Sequence, residues 1–298
     1  MPKLAIKIDV DTYQGTKKGI IPLLRLFEKY AVPATFLFSF GPDNTGRAIT
    51  RVFRKGFIKK CLRSNVAGNY GLKTLMYGTL LPAPIIYKKC ADIMLQAKNS
   101  GFECGIHSWN HYNWQDNIFK MSKTAVAAEF EKAKAAFIEV YGQAPLCCGA
   151  PGWQISPDAI AVEDANNLLY ASDTRGKSPF FPKMGGKTFK TLQIPSTLPT
   201  LDEVLGVGAN TLDTIKQMYL EKILGAEMSV MTIHSELEAL NYFDYFEGFI
   251  KEAKARNIEF FSLQDWAKQL LADPQKIQVC EVKMLEFAGR SGLLAQQA

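Results

Sequence analysis

Histidine is scarce in this chain, with 3 copies among 298 residues. It is the commonest metal ligand and the commonest general acid or base, so imidazole chemistry has only His107, His111 and His234 to work with. Cysteine pairs at metal or redox spacing are also missing. The 6 cysteines (Cys61, Cys90, Cys104, Cys147, Cys148 and Cys280) form no CxxC, and a chain of this length needs no disulfide staples. A reduced, intracellular protein is expected. No run of about 18 apolar residues occurs; the stretch 75–86 is too short and contains Pro82 and Pro84, so no membrane span is expected. The N-terminus enters a strand pattern at once, without the apolar core and small-residue cleavage site of a signal peptide.

One further absence is local. Residues 44–91 contain no Asp or Glu, yet carry Arg47, Arg51, Arg54, Lys55, Lys59, Lys60, Arg63, Lys73, Lys88 and Lys89. The formal charge of the whole chain is +6. The remainder is therefore slightly acidic, and the basicity is confined to one segment. Ile49, Val52, Phe53, Phe57, Ile58 and Leu62 interleave with those charges. Such a pattern suits an interfacial helix on an anionic membrane surface, where each Lys or Arg contributes about 1 kcal/mol. Arg51, Arg54, Lys55, Lys59 and Lys60 are the expected membrane contacts; the alternative is a solvated basic helix over an ordinary core face. No helix-turn-helix, zinc-finger or RNA-recognition pattern is present, so no nucleic-acid partner is expected.

What the chain does have is an alternation of apolar strands and amphipathic helices, which argues for an α/β protein with a mainly parallel sheet or barrel. Strands are expected at 4–10, 34–40, 102–106, 145–148, 170–172, 192–194, 230–233 and 260–262. Helices are expected at 19–30, 86–100, 123–141, 212–224, 243–256 and 263–271. With no internal repeat or low-complexity linker, residues 1–298 read as a single catalytic domain, with a basic amphipathic insertion at about 46–88.

Three of the strand patterns end in ionisable groups: Asp9 and Asp11, His107, and His234. In parallel α/β sheets the C-terminal strand ends share one face, where sites form, so these groups should converge. Asp9 and Asp11 are two residues apart, which on an extended chain directs both carboxylates the same way. They repel unless a proton or cation lies between them. His107 and His111 form an HxxxH pair able to chelate one metal, but without the Glu of a zinc-protease HExxH. Asp11 with the two imidazoles gives a three-ligand set that leaves open positions, the catalytic pattern, for which zinc, cobalt, manganese and iron all qualify. Singly, a strand-end Asp is ordinarily a cap, and an HxxxH beside Trp109, Tyr112 and Trp114 an aromatic stack. The coincidence at three strand ends favours a site.

The order Asp9-Val10-Asp11, His107-Ser108-Trp109-Asn110-His111, Gly149-Ala150-Pro151-Gly152-Trp153, Asp173 and Ile233-His234 resembles the polysaccharide deacetylase, or NodB-homology, family of metal-dependent amide hydrolases. The resemblance implies an irregular (β/α) barrel. It implies one divalent metal ion on Asp11, His107 and His111, with Asp9 as general base and His234 as general acid. The family's Arg-x-Pro-aromatic motif stands here as Gly149-Ala150-Pro151-Gly152-Trp153, without the Arg. Arg175, near Asp173, is the expected substitute partner for the base, and a backbone N–H of Gly152 or Trp153 the expected oxyanion donor. Glu236 or another carboxylate is expected to orient His234, and the sequence does not choose between them. The stretches 41–47, 62–65, 172–176, 193–200, 202–204 and 232–236 narrow the resemblance to members that deformylate undecaprenyl-phosphate-linked 4-deoxy-4-formamido-L-arabinose. Those members serve lipid A modification and cationic-peptide resistance. This implies a lipid-linked substrate and a peripheral position on the cytoplasmic face of the inner membrane. The alternatives are a chitooligosaccharide or peptidoglycan deacetylase, or a catalytically silent homologue, which the complete set of five residues opposes.

Overall fold

A computed structural model describes residues 1–53, 71, 73–208, 210–290 and 292–298, without the side chains of 50–53. Arg54, Lys55, Lys59 and Lys60, and the side chain of Arg51, lie outside the described residues.

The first strand sets the architecture. In β1 (Lys3–Val10), Leu4, Ile6, Ile8 and Val10 join the large outer core, while Ala5 joins a smaller inner one. The two-residue period of a strand thus puts its large apolar side chains under the helices and Ala5, Lys7 and Asp9 toward the interior. β2 (Ala34–Ser39) repeats the pattern, with Phe36 and Phe38 outward and Leu37 inward. There follow β3 (Glu103–Ser108), β4 (Cys147–Cys148), β5 (Tyr170–Ala171), β6 (Phe181–Met184), β7 (Lys187–Thr188), β8 (Leu192–Gln193), β9 (Met228–His234), β10 (Glu259–Phe260), β11 (Val279–Glu286) and β12 (Leu293–Gln297). The main sheet has 8 strands, in the order β10-β1-β2-β3-β4-β5-β8 with β9 also on β1, and every pairing in it is parallel. The space between β8 and β9 is bridged by the amides of Thr197 and Leu198, both donating to Val230 O, and by Ser196 Oγ at 2.7 Å from Thr232 Oγ1. This is the irregular α/β barrel expected, and all eight expected strands take part in it.

Local chemistry starts and stops the helices where the sequence signals them. Ser122 caps the helix Lys123–Tyr141 by accepting from Ala125 N, and Gly142 ends it at φ 68°. Ser262 caps Leu263–Leu271 in the same way; from that helix Leu263 and Ala267 join the inner core with Ala5, Leu37, Tyr170 and Val230.

Two features lie outside the expected pattern. The chain after Leu271 forms β11 and β12, which complete a four-stranded sheet in the order β12-β11-β6-β7. In addition, π-helical turns follow β1 (Gly15–Gly19) and β9 (Leu237–Asn241) and pack together beside the site. Gly15 is required there, because a Cβ would lie 1.9 Å from Glu236 Oε1. Among the described residues no helix is long and apolar enough to cross a membrane.

Candidate active site

Register brings the strand ends together. Asp9 lies opposite His234 on β9 and Leu37 on β2, and Leu37 lies opposite Gly105 on β3, two residues before His107. Asn110 then caps the short helix His111–Asn117 by accepting from Asn113 N at 3.0 Å, which holds His111 in the first turn beside His107. The two imidazole centroids are 5.2 Å apart.

Asp11 Oδ1 lies 3.2 Å from His107 Nε2 and 3.4 Å from His111 Nε2, and it is buried with no hydrogen-bond partner. His107 Nδ1 is 2.6 Å from Gly149 O, and a carbonyl can only accept, so Nδ1 carries the proton. In the neutral ring Nε2 then presents a lone pair to a carboxylate oxygen. Two acceptors at that distance repel unless a cation or a second proton stands between them. The shifts agree with this. Burial opposes ionisation of Asp11, yet the charge of His111 and the contacts from both imidazoles hold its carboxyl well below the usual range. Burial likewise disfavours a charged His107, yet Asp9 and Asp11 raise it. The three donor atoms lie within 4.8 Å of one another, and a carboxylate with two imidazoles fits a borderline divalent ion. Asp11, His107 and His111 therefore fit the metal that their pattern implies.

His234 completes the rim. Burial lowers its tendency to charge, but Asp11, Asp202 and Asp9 outweigh that and raise it. Its Nδ1 has no hydrogen-bond partner. The carboxylate expected to orient it does otherwise: Glu236 accepts from Thr12 N and Thr12 Oγ1 at 2.9 and 2.7 Å, bracing the loop after β1. Glu238 accepts from the backbone N of His234 at 2.9 Å. Burial pushes Glu238 up to about 7.

A carboxyl raised on folding makes the protein more stable when protonated. That stability is full below the ordinary Glu range and is lost as pH rises through about 7. Glu238→Gln is therefore expected to flatten the fall in stability between pH 5 and 8, by an amount on the order of 3 kcal/mol at most. Urea unfolding of the metal-free protein at both pH values measures it; an unchanged slope would show that Glu238 does not titrate in this window.

The second half of the expected site is arranged differently. Asp173 is fully buried and does not face the rim: it accepts from Ala150 N and Gln193 Nε2, both at 2.7 Å. It thereby fixes the turn whose Gly149 carbonyl orients His107. Arg175 does not partner Asp9. Its Nη2 lies 2.6 Å from both oxygens of Glu203, and its guanidinium stacks 3.8 Å from the Trp153 ring centroid. A buried guanidinium needs a carboxylate within reach, and Glu203, held at the start of the helix Leu201–Val204, supplies it, both its oxygens accepting from Nη2 while Nη1 donates to Leu198 O. Of the two backbone donors expected for the oxyanion, Trp153 N–H is already used, donating to Ala150 O. Gly152 and Trp153 both have left-handed backbones, at φ 60° and 55°; a Cβ on Gly152 would meet Gln115 Nε2 at 2.3 Å. The Trp153 side chain is a buried wall, with Nε1 donating to Ser196 Oγ at 3.2 Å.

Sequence reasoning passed over two cations. Lys7 is buried on β1 with its Nζ 3.8 Å from Asp9 Oδ1; its signal was a lone lysine in an apolar strand at the same parity as Asp9. Arg290, from the turn between β11 and β12, lies 4.8 Å from the Trp153 centroid and 3.2 Å from Glu203 Oε1. No local pattern marks it.

The flanks of the basic segment adjoin this rim. Asp43 accepts from Tyr13 N and from Thr45 N and Oγ1, tying the loop after β1 to the 3-10 helix Thr45–Phe53. Gly46 N donates to Tyr77 O, so the two described ends of the segment are knitted together.

Comparison with known proteins identifies the family and the fold. The family model described as Polysaccharide deacetylase matches residues 8–171. A protein of Shewanella sediminis (strain HAW-EB3), named probable 4-deoxy-4-formamido-L-arabinose-phosphoundecaprenol deformylase, is 36% identical over 298 residues, covering 99% of this chain and 95% of its own. A protein of the same name from Wigglesworthia glossinidia brevipalpis is 33% identical over 288 residues, covering 95% and 98%. Among solved structures, a probable polysaccharide deacetylase from Pseudomonas aeruginosa PAO1 superimposes with a TM-score of 0.61 over 91% of each chain at 16% identity, which speaks for the fold alone.

Proposed function

The chain belongs to the polysaccharide deacetylase family, and from that premise we propose that it hydrolyses the N-formyl group of undecaprenyl-phosphate-linked 4-deoxy-4-formamido-L-arabinose. The products are formate and the 4-amino sugar lipid of lipid A modification. The observation that carries the reading is the meeting of Asp11 Oδ1 with the Nε2 atoms of His107 and His111 at 3.2 and 3.4 Å, beside Asp9 and His234 in register. The relatives at 36% and 33% identity supply the substrate.

Asp11, His107 and His111 would hold one divalent ion, which would supply Lewis acidity toward the amide carbonyl and the attacking water. Asp9 accepts the proton of that water as the C–O bond forms. His234, in register with Asp9 on the neighbouring strand, donates a proton to the sugar nitrogen as the C–N bond breaks. Without that proton the amine is a poorer leaving group than hydroxide. The Gly149–Trp153 turn orients His107 and walls the site, and the whole chain acts as one catalytic unit.

The substrate's lipid stays in the bilayer, so the site mouth must meet the membrane surface. Ile49 and Leu80, on the two flanks of the basic segment, are 70% and 79% exposed, in keeping with an interfacial contact. The same contact supports a peripheral place on the cytoplasmic face of the inner membrane.

Two measurements test these points. The metal-loaded protein is expected to release formate from the formamido-arabinose lipid, to stop on addition of chelator and to resume on metal return. No release by the loaded protein would remove the deformylase assignment. In vesicle flotation it is expected to float with anionic vesicles and not with neutral ones. Neutralising Arg51, Arg54, Lys55, Lys59 and Lys60 together should abolish flotation, and equal recovery on both lipids would sink the membrane contact.

A further inference from the structure

We propose that Lys7 is the positioning residue that fixes the Asp9 carboxylate for proton abstraction; the inference rests on the hydrolytic reading above. Lys7 is 1% exposed in the strand Lys3–Val10, whose buried residues from Leu4 to Val10 are otherwise apolar except Asp9. A lysine is almost never buried so completely unless it is paired. Its Nζ donates to Ser172 O at 2.8 Å across the barrel and lies 3.8 Å from Asp9 Oδ1. That oxygen has no hydrogen-bond partner.

The surroundings leave the ammonium little freedom. A Cβ on Gly149 would stand 3.5 Å from Nζ, so the turn that holds His107 closes over it. The Trp153 ring centroid lies 5.7 Å away, within reach of a cation–π attraction. The negative groups acting on Lys7 are Asp9 and then Asp173. Asp173 already has hydrogen bonds from Ala150 N and Gln193 Nε2, whereas Asp9 Oδ1 has none. The other two cations of this region, Arg175 and Arg290, both bind Glu203. Lys7 is thus a fixed charge aimed at the base, held from behind by a backbone carbonyl. An anchored ammonium sets the direction of the carboxylate in a way that a mobile water cannot, and orientation of a catalytic group to about 1 Å is worth about 10²-fold in rate.

The test uses Lys7→Met, Lys7→Gln, Asp9→Asn and the Lys7→Met/Asp9→Asn double variant. Lys7→Gln removes the charge and keeps a polar donor, on a side chain one bond shorter, so it carries the test if Lys7→Met does not fold. In the metal-loaded protein both Lys7 variants are expected to lose about 10²-fold in kcat, with KM and bound metal at wild-type levels. In urea unfolding of the metal-free protein, the midpoint shift of the double variant is expected to be smaller than the two single shifts together, because the pair is removed as a unit. Wild-type kcat in Lys7→Gln, a loss carried by KM, or additive midpoint shifts would overturn the proposal. The unfolding cycle needs no substrate. A wild type that releases no formate therefore sinks the functional reading while the cycle still reports whether the pair exists.

Discussion

Asp9→Asn is expected to lower kcat for formate release by about 10²–10⁴-fold, the usual contribution of a positioned general base, with bound metal unchanged. The amide has nearly the shape of the carboxylate, but its NH₂ cannot accept a proton and its oxygen is a far weaker base. Asp9 is 3% exposed and lies in register with His234, so the substitution alters the rim without opening it. Metal content by elemental analysis, measured beside the single-turnover rate, separates this from loss of the ion. A variant that keeps wild-type kcat would remove Asp9 from proton transfer. A variant that loses both metal and rate would make it a ligand.

The opposite pattern is expected of His107→Ala. Asp11 and His111 remain, but two donors hold a divalent ion far more weakly than three. The loss of affinity should exceed the roughly 10–100-fold that follows from substitutions outside the ligand set. Such a smaller loss is what Asp173→Asn should show, because Asp173 acts two links away, through Ala150 N and the Gly149 carbonyl that fixes His107 Nδ1. Isothermal titration with zinc or cobalt gives both affinities directly. Formate release by His107→Ala should sit at background at any metal concentration the protein tolerates. Equal affinities for the two variants would mean that His107 is not a ligand.

Much of the molecule was legible because the relevant physics is local or periodic. The alternation of Leu4, Ile6, Ile8 and Val10 marks a strand with one face under helices. Ser122 and Gly142 mark the ends of a helix that forms between them. The five strand-end residues could be read together because parallel strands share one C-terminal face, so their convergence needs no knowledge of the loops. The partners of Asp173 and Arg175 were not legible. Arg175 is two residues from Asp173, but the fold sends its guanidinium to Glu203 and stacks it on Trp153. Sequence proximity says nothing about which of several carboxylates a long side chain reaches. The same holds for Arg290, which arrives through the β11–β12 turn more than 100 residues after Trp153.

The three histidines end as the sequence alone placed them, at the C-terminal ends of β3 and β9 and in the helix that follows β3, because strand period and parallel topology leave no other face. The local basicity of residues 44–91 is likewise a property of the sequence. What only the tertiary structure decided is which charge meets which. The Lys7 ammonium is enclosed beside Asp9 by Ser172, just after β5, and by the turn after β4. Pairing in a buried interior is set by desolvation: each charge must find its partner within a few ångströms, wherever in the chain that partner lies.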